Sequence, residues 1–188
     1  MEGRGAVLVA YATWGGGARR IAEVVGGTLV AEGVTADVKP AADVRDLAEY
    51  AAVIIGTPLQ AGRLHGDVYA FVKEHRSGLS ERPFALFAVC LTSKADTPEN
   101  RRRAEAALAE LWASHPDARP LTIGFFCDAP RPDAAALQRL PFARRIRYKR
   151  MKPPSADYSD WDDLEDWIRE AREKLLPVRD RAAPSKQA

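Results

Sequence analysis

The run Val7-Leu8-Val9-Ala10-Tyr11-Ala12-Thr13-Trp14-Gly15-Gly16-Gly17-Ala18-Arg19-Arg20-Ile21-Ala22 constrains the chain more than any other stretch, because an apolar segment empties into a glycine loop that opens a helix. Ala6 to Tyr11 is too short for a helix and too apolar for a half-exposed strand, so it reads as a strand buried on both faces. Beyond Ala18, the positions Ile21, Val24, Val25, Thr28 and Leu29 repeat at helical spacing. Strand, tight loop and helix together aim backbone N–H groups and the positive end of a helix dipole at an anion. Thr13 adds a hydroxyl donor, and three glycines without Cβ let the main chain curl closely around a phosphate. The same residues also suit a plain strand-to-helix turn that holds nothing. Two nucleotide fingerprints are excluded. Gly15-Gly16-Gly17 does not give G-x-G-x-x-G, and no Gly-Lys-Ser/Thr follows.

The chain has 188 residues, enough for one substantial core, and the expected division is a single α/β domain over 1–176 with a tail at 177–188. A net charge of +2 gives no global case for a nucleic-acid partner. Cys90 and Cys127 each close an apolar, strand-like run, and no metal or C-x-x-C spacing exists. They read as buried thiols in a reducing compartment, although neighbouring strand ends would bring them close. The first residues superficially mimic a secretion signal, but Glu2 and the fit of the apolar run to a strand argue against one. No run of 18 apolar residues is present to span a membrane. A cytoplasmic location is the expectation.

Taken in order, Gly33 ends the first helix and Thr35 to Pro40 is a second strand, put at the sheet margin by Pro40. Asp43 is expected to cap a short helical turn through Leu47. Tyr50 to Ile55 is the third strand, running into a loop from Gly56 to His65. A helix carrying Val68, Phe71 and Val72 inward follows and stops near Ser77-Gly78. Phe84 to Leu91 is the fourth strand, Pro98 and Glu99 begin a long helix with Ala104, Ala107, Leu108, Leu111 and Trp112 on one face, and Leu121 to Cys127 is the fifth strand. Five strands alternating with helices make a doubly wound parallel sheet with helices on both faces. In the order 2-1-3-4-5, strands one and three part at their carboxyl ends, and the loops at 13–18, 56–65 and 89–93 border one crevice.

Residues 130–152 interrupt the alternation as a basic insertion. Arg139, Arg144, Arg145, Arg147, Lys149, Arg150 and Lys152 crowd there among Leu140, Phe142, Ile146 and Met151. The stretch suits a solvated cover over the sheet. It equally suits peripheral contact of 139–152 with an anionic membrane, or attraction of a carboxylated substrate. Asp160 then stands as the cap of a last helix whose Trp161, Leu164, Trp167, Ile168, Ala171 and Leu175 repeat at core spacing.

The spacing of Tyr11, Thr13, Gly16 and Ala22 resembles the FMN-binding signature of the flavodoxin family. A second Thr usually stands where this chain has Ala18, so backbone N–H groups must carry more of the phosphate. Within that superfamily the chain looks most like the menaquinone-dependent protoporphyrinogen oxidase group. The likeness is carried by Ile55-Gly56-Thr57 leading to Gly62-x-x-His65, by Phe71-Val72-Lys73, by the basic insertion, and by Asp157-Tyr158-x-Asp160-Trp161. It implies FMN as the redox centre, with Thr13, Trp14, Gly15, Gly16, Gly17 and Ala18 at the phosphate. Thr57, Pro58, Leu59, Gln60, Ala61 and Gly62, together with Val89, Cys90, Leu91 and Thr92, would border the ring. The flavin would carry the chemistry, so no catalytic side chain is required.

Arg63 and Arg131 are candidates for substrate carboxylates, and His65, at the crevice-side start of a helix, for orienting a substrate or donating a proton. His75 and His115 read as surface residues at helix ends. The resemblance implies an oxidoreductase passing electrons between a small organic substrate, protoporphyrinogen in the specific version, and a quinone. A charge of +2 sets the chain apart from the strongly acidic flavodoxins that shuttle electrons to proteins. An electron carrier and a cofactor-free binding or scaffold protein are the alternatives.

Overall fold

A computed structural model describes residues 5–90, 98–113, 115–127 and 161–176. Its elements are β1 (Ala6–Tyr11), α1 (Gly17–Ala31), β2 (Ala36–Pro40), β3 (Tyr50–Leu59), α2 (Gly66–Glu74), α3 (Arg76–Ser80), β4 (Phe84–Cys90), α4 (Pro98–Ala113), β5 (Ile123–Cys127) and α5 (Trp161–Leu175). All five strands are parallel, in the order β2-β1-β3-β4-β5. Among the described residues no helix is long and apolar enough to cross a membrane.

The central strands are apolar on both sides because each side meets a helical layer. Val7 and Val9 of β1 join Ile21, Val25 and Leu29 of α1 and Leu164, Ile168 and Leu175 of α5 in one core. Leu8 and Ala10, alternating with them, join Val68, Phe71 and Val72 of α2 and Leu108, Leu111 and Trp112 of α4 in the other. Pro40 ends β2 at the sheet edge, where its missing N–H costs nothing.

Three sequence expectations are corrected. Thr57, Pro58 and Leu59 are not loop. They continue β3, paired with Ala88, Val89 and Cys90 of β4. Gly56 is required there, since a Cβ would lie 2.2 Å from Cζ of Phe87. Pro58 is tolerated for a directional reason. The Gly56 carbonyl accepts from Ala12 N–H at 2.9 Å, so alternate residues of β3 face β1, and two residues on, at Pro58, β1 has already ended.

The helical turn after Asp43 is instead one 3-10 turn over Ala41–Asp43, because Val44 becomes extended (φ −80°, ψ 122°) and buries its side chain. His75 is buried, not a surface residue. It sits between α2 and α3 with Nε2 3.3 Å from the Val44 carbonyl and its ring 4.7 Å from that of Phe71. His115 is half-buried, with Nδ1 enclosed and lacking a partner among the described residues.

Candidate functional site

The crevice arises because two neighbouring strands end at different heights. β1 pairs with β3 only as far as Tyr11 opposite Gly56, whereas β3 runs on to Leu59. Above Tyr11 the chain turns. Thr13 Oγ1 accepts a hydrogen bond from Gly16 N–H at 2.8 Å, which folds the loop back on itself. Gly16 adopts φ 90° and ψ −13°, a left-handed conformation that a side chain disfavours. Helix α1 then starts at Gly17, with Arg20 N–H donating to the Gly16 carbonyl at 3.0 Å.

Among the described residues no side chain caps this helix. Among the described residues nothing accepts from Gly17 N–H or Ala18 N–H, although both residues are buried. Buried amides without partners are costly unless a ligand or water meets them. Thr13 accepts through its oxygen and keeps its own O–H to donate. A Cβ at Gly16 would meet nothing within 4 Å, so the loop is open on that side. Ala18 packs its methyl into the α1 core, so this position can offer an anion only its backbone. Amides, hydroxyl and open space together fit a phosphate group.

The second wall begins where β3 ends. Gln60 and Arg63 exchange two backbone hydrogen bonds of 3.0 Å, closing a two-residue hairpin with Ala61 at φ 52° and Gly62 at φ 73°. Positive φ at both central positions is what a type I′ turn requires. Leu64 is buried and anchors the return to His65, the N-cap of α2. His65 N–H donates to the buried Thr57 Oγ1 at 3.3 Å, and its Nδ1 accepts from Asp67 N–H at 3.2 Å. That bond leaves the ring proton on Nε2 when the imidazole is neutral. The Asp67 carboxylate lies 3.5 Å from Nδ1, ready to pair with a protonated ring.

The two walls touch. The rings of Trp14 and His65 lie 5.0 Å apart at 39°, joining the glycine loop to the start of α2. Pro58 and Leu59 are buried in β3, Gln60 and Gly62 are half-buried, and Ala61 and Arg63 are exposed on the hairpin. Val89 and Cys90 form the end of β4 and are both buried, and burial pushes the Cys90 thiol up to about 11. Leu91, Thr92, Arg131, the insertion at 130–152 and the cap at Asp160 lie outside the described residues.

Tyr69, one turn into α2, packs against the core on that side of the sheet, and burial raises its phenol, as does Glu110, against the opposing pull of Arg63. Among the described residues no group of three His, Cys, Asp or Glu side chains is placed to hold a metal ion.

An open, doubly wound parallel sheet with an amide-lined loop at its switch point defines a class of α/β protein. A family model described as a flavodoxin domain matches residues 8–151, and the chain belongs to that family. No curated protein sequence matches. Among solved structures, flavodoxin 2 from Bacillus cereus is similar at 17% identity and TM-score 0.55, covering 90% of this chain and 99% of that one. A flavodoxin variant from Pseudomonas aeruginosa is similar at 16% identity and TM-score 0.54, covering 90% and 98%. A flavo di-iron protein variant from Thermotoga maritima gives 18% identity and TM-score 0.55, covering 92% of this chain but 36% of that one. At these identities the likeness is one of fold.

Proposed function

We propose that the chain is an FMN-dependent oxidoreductase whose cofactor phosphate docks at the start of α1. The observation that carries this reading is the pair of amides at Gly17 and Ala18, two buried residues at the start of α1 whose N–H groups find no acceptor among the described residues, beside the Thr13 hydroxyl, whose oxygen accepts from Gly16 N–H. Family membership supports it. When bound, FMN supplies a ring that accepts and releases electrons or hydride. The protein's own part is to hold and shield. Trp14, Gly15 and Gly16 complete the phosphate loop. The main chain from Thr57 to Gly62 and at Val89 and Cys90 would border the ring, as would Leu91 and Thr92, which lie outside the described residues.

Arg63, exposed on the hairpin, suits a substrate carboxylate at the rim, and Arg131 is assigned the same task. His65 orients the substrate or hands it a proton from Nε2. The electron partners we infer are a small organic substrate of protoporphyrinogen type and a quinone. The basic stretch 139–152 would bring the protein to an anionic membrane surface where quinones reside. A flavodoxin-type electron carrier is the second reading, favoured by the match to flavodoxins along nearly their whole length.

Titration of the full chain with FMN, followed by anaerobic reduction and reoxidation with a menaquinone analogue, separates these readings. The oxidoreductase reading expects bound flavin and rapid quinone-dependent reoxidation. Bound flavin that the quinone leaves reduced would favour the carrier, and protein that takes up no FMN would end both.

A further inference from the structure

The sheet edge at β2 is open, and its polar groups alternate in a way that fits a copy of itself. Val7 N–H donates to the Thr35 carbonyl at 2.8 Å, and β1 runs parallel to β2 with Val7 opposite Ala36. Backbone direction alternates along a strand, so Thr35, Asp37 and Lys39 turn their polar groups to β1, whereas Ala36, Val38 and Pro40 turn theirs to the open edge. Among the described residues nothing meets the outward groups of Ala36 and Val38. The side chains alternate too. Val38 lies against α1, so close that a Cβ on Gly26 would be 2.3 Å from its Cγ2. On the other face Asp37 and Lys39 pair at 2.8 Å, both about half exposed. Val30, one turn beyond Gly26 on the same flank of α1, is 56% exposed.

We propose that β2 is a self-association edge, on which a second copy of this chain adds its own β2 antiparallel across a two-fold axis at Val38. Lys and Pro on an edge ordinarily turn foreign strands away. The order of charges here admits one partner. With the axis at Val38, each Asp37 lies opposite the partner's Lys39, in the closely spaced kind of cross-strand pair where opposite charges attract. Moving the axis to Asp37 or to Lys39 sets like charges face to face instead. Val38 exchanges two hydrogen bonds with its counterpart, and Ala36 N–H donates to the partner's Pro40 carbonyl. The missing Pro40 N–H then leaves only the Ala36 carbonyl to water. The same axis sets the two α1 helices side by side over the joined sheet, which covers Val30.

The test uses the full chain without added flavin, so its outcome is independent of the FMN reading. Sedimentation equilibrium from about 1 μM to about 1 mM should show a reversible equilibrium between monomer and dimer. Over the same range the amides of Ala36 and Val38 should exchange with deuterium about tenfold more slowly at the high end than at the low. K39E turns both symmetric pairs repulsive and should weaken association by about tenfold or more, while D37K/K39D restores opposite charges and should recover it. A monomer at every concentration would overturn the proposal, and so would a dimer whose Ala36 and Val38 amides exchange equally fast at both ends. Slow exchange of those amides in a monomer would overturn it as well, by showing that the chain covers its own edge. So would K39E dimerising as tightly as the unsubstituted protein. The first three outcomes need no variant, so a poorly folded substitution cannot mask the answer.

Discussion

Gly16 and Ala61 both sit at positive φ, 90° and 52°, yet substitution at the two positions should move stability in opposite directions. A left-handed residue with a Cβ is strained by about 1–2 kcal/mol. Gly16→Ala adds that strain and little else, since the new methyl would meet nothing within 4 Å, and denaturant unfolding should show a loss of about 1 kcal/mol. Ala61→Gly removes the strain but gives the unfolded chain about 0.4–1 kcal/mol of extra freedom, so the same measurement should show a net gain below about 1 kcal/mol.

A third residue-scale effect depends on pH. Asp37 accepts from Lys39 Nζ and from Tyr50 OH, both at 2.8 Å, and these hydrogen bonds hold its carboxyl below the usual carboxylate value. A folded-state value below the unfolded one stabilises the protein above the ordinary carboxylate range, and this contribution is lost as pH falls through the lowered value. The effect is small because Asp37 and Lys39 are about half exposed. Tyr50→Phe removes one donor, so the Asp37 midpoint should rise, read from its side-chain carbon shift between about pH 5 and pH 2. An unchanged midpoint would show that the phenol contributes nothing.

Among the elements, β3 depends most on a single close approach. A Cβ at Gly56 would lie 2.2, 2.7 and 2.8 Å from three atoms of the Phe87 ring. That ring is fully buried and held by Phe126 and Trp167, at centroid separations of 6.4 and 5.9 Å, so it has nowhere to retreat. Gly56→Ala should therefore cost about 1–3 kcal/mol by overpacking, and Phe87→Leu on its own about as much by leaving a void. Made together the two changes should cost clearly less than their sum, and additivity in denaturant titrations would refute the contact.

The same stretch shows what the sequence conveys and what it hides. Val7 to Ala10 and Phe84 to Cys90 are legible because burial on both faces leaves an unbroken apolar run. Gly56, Thr57 and Pro58 instead carry the local signs of a turn. Their strand conformation depends on where β1 stops and on a ring in β4, neither of which is written in the neighbouring residues. His75 misled for a related reason, since its partner carbonyl belongs to Val44, 31 positions away. At the crevice, Thr13 and the glycines declare themselves through local spacing. The Trp14–His65 contact does not, because it joins two loops that only the sheet brings together.

At the scale of the whole molecule, a cofactor held by the fold must feed back on the stability of the fold. A ligand bound only by the native state stabilises it by about 2.7 kcal/mol when present at 100 times its dissociation constant. For a chain of this size that corresponds to a rise in melting temperature of about 5–10 °C. In the proposed site the amides of Gly17 and Ala18 and the Thr13 hydroxyl would meet the phosphate and not the ring, so the two parts of the cofactor can be tested separately. FMN should therefore raise the melting temperature by about that amount, and riboflavin at the same concentration by much less. Thr13→Ala removes the acceptor of Gly16 N–H together with a donor to the anion, so it should weaken FMN binding by about tenfold while leaving riboflavin binding nearly unchanged. Thr13→Ser keeps the hydroxyl and should restore most of the loss. Equal shifts from FMN and riboflavin would mean that the ring binds without the loop, and that the unpartnered amides at the start of α1 serve some other anion or water.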